Sequence, residues 1–415
     1  MKYVLSVIEQ GSGAAMSFAL SLWLIRGNGA EAYGVYIFWF SIALVTNSLQ
    51  NAMTVTHLFP LPPLPAGAQL RRSTEELVLA VTVVFCAAVG LIVAAAVFVM
   101  TRMQSTLAEP AVILFLPAFL LWQYGRALAF TRGDAVIPVL QSSLIVVLTA
   151  LAGGVGWLLG VPPTAQQGLL FTGVAYAIAG VGALVWQSRT QTLDLRWSML
   201  RRYRALIGTS SWPFLGALSV ETSARLYSFI VVSWFGPAIL GLMSASQVML
   251  RPATLLTNAW TPVARAEMSN SANAGDVRGF MRALERGSVA AAGITFVWGC
   301  IVAFAWPQID HFLYQGRFQT GGTLALMWTI QFTLTSLVLT VGVAFQALAA
   351  FRPLALAELT GAVVTGIAMP LLASHFGYMW CLGGMMFGSL VQVLAMLRVL
   401  PAAMRPVRTL GQMAG

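Results

Sequence analysis

The sequence predicts an all-α polytopic membrane protein of about twelve transmembrane helices in two six-helix halves. Three observations predict it. Of 415 residues, 58% are hydrophobic and 9% charged, a balance outside that of a water-soluble domain. The apolar residues gather into runs of about 20, the length that crosses a bilayer as a helix. Basic residues crowd every second connection between those runs. A β-barrel is excluded, because its strands would alternate apolar and polar residues.

In order, the spans read as 3–25, 34–57, 76–100, 110–131, 135–159, 167–188, 205–234, 238–262, 284–306, 322–349, 353–374 and 378–400. The first is long enough to remain as a helix, so it reads as a permanent span and not as a cleaved signal. After the second, Pro60, Pro62, Pro63 and Pro65 forbid continuation of the helix. The connections alternate in charge. One set holds Lys2, Arg71, Arg72, Arg132 and thirteen further arginines; the other holds Arg26, Arg102 and Arg317. The positive-inside rule then puts both termini in the cytoplasm.

The longest cytoplasmic connection falls halfway along. It interleaves Arg196, Arg201, Arg202 and Arg204 with Leu195, Trp197, Met199 and Leu200, as in a short helix lying on anionic lipid. The expected organisation is a six-helix lobe over 1–188, a basic linker over 189–204, a second lobe over 205–400 and a tail over 401–415. An internal repeat supports it. A shift of 207 residues lays Gly29 and Gly34 on Gly236 and Gly241, and Ser21 on Ser228. The same shift lays Asn51-Ala52-Met53-Thr54 on Asn258-Ala259-Trp260-Thr261.

The net charge of +10 comes from 22 Arg and one Lys against 13 acids, and it sits mostly in those short connections. It therefore reads as topology and not as a nucleic-acid surface. Cys86, Cys300 and Cys381 lie in apolar runs without metal spacing, and His57, His311 and His375 are scattered at span ends. No metal, no cofactor and no nucleotide-binding loop is expected, so ATP is not the direct fuel.

Charged residues inside spans carry the functional expectation, because each is expensive in the bilayer and needs a partner or a wet cavity. Arg225 in the seventh span and Arg251 in the eighth lie near mid-membrane. Arg126, beside Gln123 and Tyr124, lies nearer the cytoplasmic end of the fourth. Arginine suits phosphate, since its planar fork bonds bidentately. Glu221, one helical turn from Arg225, and Glu9 in the first span are the ion-coupling candidates. Glu358 reads as an interfacial partner of Arg352. Pro213 and Pro252 are expected to kink the seventh and eighth spans and to serve as hinges.

The Gly-x-x-x-x-Gly turn into the second helix of each half resembles the polysaccharide-transporter branch of the MOP superfamily. Tyr314-Gln-Gly316-Arg-Phe318 before Gly322 and His375-Phe376-Gly377-Tyr378 before the last span are similar to further motifs of that branch. The resemblance implies a MOP/MATE-like fold of two pseudo-symmetric six-helix lobes around a central cavity. It implies a flippase of the Wzx type that moves a polyprenyl-diphosphate-linked oligosaccharide to the outer leaflet for O-antigen or exopolysaccharide synthesis. H⁺ or Na⁺ would supply the driving force, and glycosyltransferases and a polymerase of the same pathway would be partners. Two other functions compete. A MATE-like small-molecule antiporter for cations would show an acidic cavity. A membrane-embedded glycosyltransferase or ligase would show catalytic acids or histidines in an outer loop, where Asp310, His311 and Arg317 cluster.

Overall fold

The computed structural model describes residues 2–58, 68–134, 136–188 and 193–405. The side chains of 2–10, 68, 186–188, 198, 205, 207–213, 255, 256, 258, 259, 262 and 263 lie outside that description. Glu9 and Pro213 are among them. The described residues form helices α1 (Lys2–Met53), α2 (Ala68–Arg102), α3 (Val112–Thr131), α4 (Val136–Leu158), α5 (Ala165–Ser188), α6 (Trp197–Arg202) and α7 (Arg204–Phe235). They continue with α8 (Pro237–Val248), α9 (Arg251–Asn273), α10 (Val277–Phe304), α11 (Trp306–Tyr314), α12 (Gly321–Ala347), α13 (Phe351–Phe376) and α14 (Trp380–Ala403). Ten of these segments are long and apolar enough to cross a membrane.

The difference from twelve has two local causes, a helical run that joins two spans and a span that is broken in two. Spans one and two are a single helical run, α1, broken only at Gly29 with φ +83° and ψ −169°. Gly236, its mate in the repeat, has φ +86° and ψ +165° and separates α7 from α8. That backbone region is open essentially to glycine alone, which is why both halves carry glycine at this turn. The eighth span is two helices. It breaks at Met249 and Leu250, and Pro252 sits in the first turn of α9, so it starts a helix and does not kink one. The repeat persists in burial: Ser21 and Ser228 are both fully buried.

The chain divides into two compact units, Met1–Leu218 and Ser219–Gly415, with the division inside α7. In the first unit, α3 packs on α5, α2 and α1. Aromatics fill this contact, with Trp122 stacked on Tyr176 at 4.8 Å between centroids and Phe119 edge-on to Tyr176 at 5.3 Å. Gly180 lets α5 close on α3, since a Cβ there would meet the Trp122 nitrogen at 2.9 Å. The basic segment docks through Met199 and Tyr203, which are buried against Leu77 and Val81 of α2. Its other face leaves Leu195, Trp197, Arg201 and Arg202 exposed.

Two of the basic residues read as loop cations are locked in. Arg71 Nε bonds Glu75 at 3.0 Å, and Arg132 Nη2 bonds the other Glu75 oxygen at 2.7 Å. Arg71 also donates to the Thr131 carbonyl at 2.8 Å. The start of α2 is thereby tied to the end of α3.

In the second unit, α12 is the central helix, touching α8, α9, α10, α13 and α14. The α13–α14 seam is built on small residues. A Cβ on Gly384 would lie 2.4 Å from the Met369 backbone, and one on Gly388 would overlap the Thr365 hydroxyl. Spaced one turn apart, these glycines let the two backbones approach without side chains between them.

Candidate functional site

The tight seam decides which polar residues of α12, α13 and α14 face inward. Gly361 on α13 makes room for Gln392 of α14, whose Oε1 would lie 2.8 Å from any Cβ added there. Gln392 lines a cavity of about 420 Å³ lying wholly within the second unit. This volume lies in the usual range for small-molecule sites, about 300–1,000 Å³.

Six helices contribute to the cavity wall. Arg225 comes from α7, Gln247 from α8 and Arg265 from α9. α12 gives Gln331, Phe332, Thr335 and Gln346; α13 gives Glu358; α14 gives Ser389 and Gln392. The polar groups are partly ordered by one another. Gln331 Nε2 donates to Ser389 Oγ at 3.1 Å and to Thr335 Oγ1 at 3.2 Å. Its Oε1 is buried with no hydrogen-bond partner among the described residues, although the residue is 4% exposed. Turning the amide over would only exchange which end is open. A buried amide with one open end costs free energy unless a bound group or water completes it. Tyr227 holds the neighbouring Gln247 by a hydroxyl contact of 3.2 Å to Oε1. Behind them Trp328 packs edge-on against Tyr227 at 5.2 Å and stacks on Phe332 at 5.5 Å.

Arg225 lies on this cavity, and Glu221 comes within 3.7 Å of its Nε, one turn earlier on α7. At that distance the contact is ionic and not a hydrogen bond, and it lies within the helix, with 27% of the Arg225 side chain still exposed. Arg251 is the first residue of α9 and is not among the residues lining the cavity. The second cavity arginine is Arg265, expected from sequence to lie in a loop beyond the span. α9 runs on to Asn273 and carries it along the wall.

Arg126 belongs to the first unit. It donates to Gln123 at 3.3 Å, and its guanidinium lies 5.4 Å over the Phe130 ring. Tyr124 beside it is fully buried among Val55, Leu58, Val78, Leu79 and Leu128. Glu358 is a further correction: no ion pair to Arg352 forms among the described residues, and the carboxylate side chain lines the cavity.

The connection between α11 and α12 is structural. Asp310 is buried and its Oδ1 accepts the Phe318 backbone N–H at 2.9 Å, while the Trp306 indole donates to the Phe318 carbonyl at 2.8 Å. Tyr314 reaches the Ala245 carbonyl at 3.1 Å. The Tyr314–Phe318 motif thus pins a turn with Gln315 and Gly316 at positive φ, and Asp310 is spent on backbone. No group of three metal-ligating side chains occurs among the described residues.

These features define a multi-pass, all-helical membrane protein with a polar cavity inside its second unit. No protein-family model matches the chain, and no curated protein matches it. Solved structures do, and they give the chain the fold of MOP superfamily transporters. One is the inward-facing conformation of a multidrug resistance MATE family transporter, with TM-score 0.73 at 13% identity over 97% of this chain and 96% of that one. Its outward-facing counterpart aligns with TM-score 0.63 at 12% identity over 98% and 95%. A MOP superfamily transporter from Pyrococcus furiosus, described as having a binding pocket of reverse polarity that suggests a different function, aligns with TM-score 0.65 at 12% identity over 97% and 95%. At these identities the likeness is one of fold.

Proposed function

We propose that this chain flips a polyprenyl-diphosphate-linked oligosaccharide from the inner to the outer leaflet of a bacterial cytoplasmic membrane, for surface polysaccharide synthesis. The observation that carries the reading is the composition of the second-unit cavity. Arg225 and Arg265 offer two cationic forks; Gln247, Gln331, Gln346 and Gln392 offer amides; Ser389 and Thr335 offer hydroxyls. Arginine forks match phosphate oxygens, and amides that donate and accept at once match sugar hydroxyls. The open Gln331 Oε1 calls for a donor such as a hydroxyl. Phe332 supplies an apolar wall against which a sugar ring face can rest.

Cargo would enter from one face and leave from the other by alternating access, with an ion gradient as the drive. Backbone breaks at Gly236 and at Met249–Leu250, with Pro252 beside the latter, are the places where the helices can bend. Enzymes that build the lipid-linked glycan and a polymerase that consumes it are the partners this activity requires. In this reading Glu221 modulates Arg225.

The fold also favours a second reading, export of small cations by antiport, because two of its neighbours are multidrug transporters. One assay separates them. In proteoliposomes, a fluorescent short-chain polyprenyl-diphosphate disaccharide should become accessible to an external quencher with wild-type protein. Arg225→Gln with Arg265→Gln should slow it at least about tenfold, the loss of one charge-assisted contact or more. Uptake of ethidium without glycolipid flipping would replace the flippase reading by the antiporter.

A further inference from the structure

The basic segment halfway along the chain has two apolar faces, and protein covers one of them. Met199 and Tyr203 are buried against Leu77 and Val81 of α2, and the Tyr203 hydroxyl donates to the Met53 carbonyl at the end of α1. The other face begins before α6. Asp194 Oδ1 accepts the Arg196 backbone N–H at 2.9 Å, and Arg196 is extended at φ −61° and ψ 143°. Leu195 and Trp197 flank this extended residue and so leave the backbone on the same side. Both are exposed, Trp197 by 69%. The Arg201 guanidinium lies 6.0 Å from the Trp197 ring centroid, and Arg201, Arg202 and Arg204 are all exposed.

The depth of this second face is set by α2. That helix has 35 residues, about 52 Å at about 1.5 Å per residue, against a hydrocarbon core of about 30 Å. Part of it must stand outside the core. Its first two turns carry Arg71, Arg72, Glu75 and Glu76, and its apolar run starts at Leu77. Leu77 therefore marks where α2 enters the hydrocarbon, and it is a residue on which Met199 and Tyr203 pack. Leu195 and Trp197 thus lie near the boundary between headgroups and acyl chains, where tryptophan is favoured. Between 193 and 204 there are four arginines and one acid, Asp194, so the face suits a leaflet with negative headgroups. We propose that residues 193–204 form a docking surface for anionic phospholipid, with Leu195 and Trp197 in the headgroup–acyl boundary and Arg201, Arg202 and Arg204 against lipid phosphates. Through Met199 and Tyr203 the leaflet then holds the end of α1 to α2, so anionic lipid steadies this corner of the first unit. The polar cavity belongs to the second unit, and the docking assignment does not rest on the cargo.

The test uses the full chain in nanodiscs of phosphatidylcholine, alone or mixed with phosphatidylglycerol. Hydrogen exchange of peptides spanning 193–204 is followed by mass spectrometry. Their amides should exchange at least about tenfold more slowly in the mixed discs, and the difference should shrink at high salt. In Arg201→Gln/Arg202→Gln/Arg204→Gln the two discs should give the same rate. A second measurement locates the ring. The fluorescence lost in Trp197→Phe reports Trp197, and lipid brominated in its acyl chains should quench that component. Equal exchange of wild type in the two discs overturns the proposal, and so does a slowing that persists in the triple variant. A Trp197 component quenched by aqueous acrylamide and not by brominated lipid overturns it as well. Slower exchange caused by added polyglutamate in phosphatidylcholine discs, with none caused by phosphatidylglycerol, replaces the leaflet by an acidic protein surface.

Discussion

Replacing Glu75 with glutamine tests what ties α2 to α3. Glu75 is 2% exposed and takes bonds from two arginines, at 3.0 Å and 3.3 Å on one oxygen and 2.7 Å on the other. Glutamine keeps the shape but presents one carbonyl, so an NH₂ faces at least one guanidinium, and two cations lose their shared anion. Breaking a buried ion pair costs about 3–5 kcal/mol. The Arg132 side chain is 20% exposed and recovers part of its loss from water, so the lower end, about 3 kcal/mol, is expected. Equilibrium unfolding in mixed micelles reads it directly. Arg72→Gln, at an exposed position on the same turn, should change stability by less than about 0.5 kcal/mol. Adding Arg71→Met to Glu75→Gln should recover a substantial share, because the remaining buried charge is then removed as well. If Glu75→Gln unfolds within about 0.5 kcal/mol of wild type, the cluster does not hold the two helices and the reasoning fails.

Other outcomes follow from individual contacts. Gly384→Ala puts a Cβ 2.4 Å from the Met369 backbone, so α14 must shift; a loss of about 1–3 kcal/mol in thermal or denaturant unfolding is expected. Asp276 caps α10 by accepting the Gly279 N–H at 2.8 Å, and Asp276→Ala should cost about 1 kcal/mol, with Asp276→Asn largely retaining stability. Burial raises the Glu109 carboxyl above its ordinary value in the connection between α2 and α3. Its protonated form is favoured by folding, so its contribution is fully present below the unfolded-state value and is lost as pH rises through the raised one. Glu109→Gln should therefore leave stability unchanged in acid and raise it at neutral pH, measured as midpoint against pH.

Some of this architecture was written in the order of residues. A bilayer demands about 20 apolar residues per crossing whatever the tertiary fold, so the apolar segments could be located from hydropathy. A positive φ combined with ψ near 180° is open essentially to glycine alone, so Gly29 and Gly236 marked the same turn in both halves before any coordinates. Depth in the membrane was legible too, and it drew attention to Arg225. Depth does not say which way a side chain faces, and here the reading stopped. Arg251 shares the depth of Arg225 and is not among the cavity residues, while Arg265, beyond the apolar window, is carried along the wall by an extended α9. Asp310 looked available for chemistry and is consumed by the Phe318 N–H. Glu358, Gln331, Ser389 and Gln392 are scattered over three helices with no common spacing. What assembled them was the packing of α12 with α13 and α14, the α13–α14 contact being set by close approach at Gly361, Gly384 and Gly388. The sequence by itself determined that the chain crosses a membrane as helices and where glycine turns it, because solvent and backbone sterics act locally. Only the tertiary structure decided which polar groups share a cavity, because that depends on the packing of faces far apart in the chain.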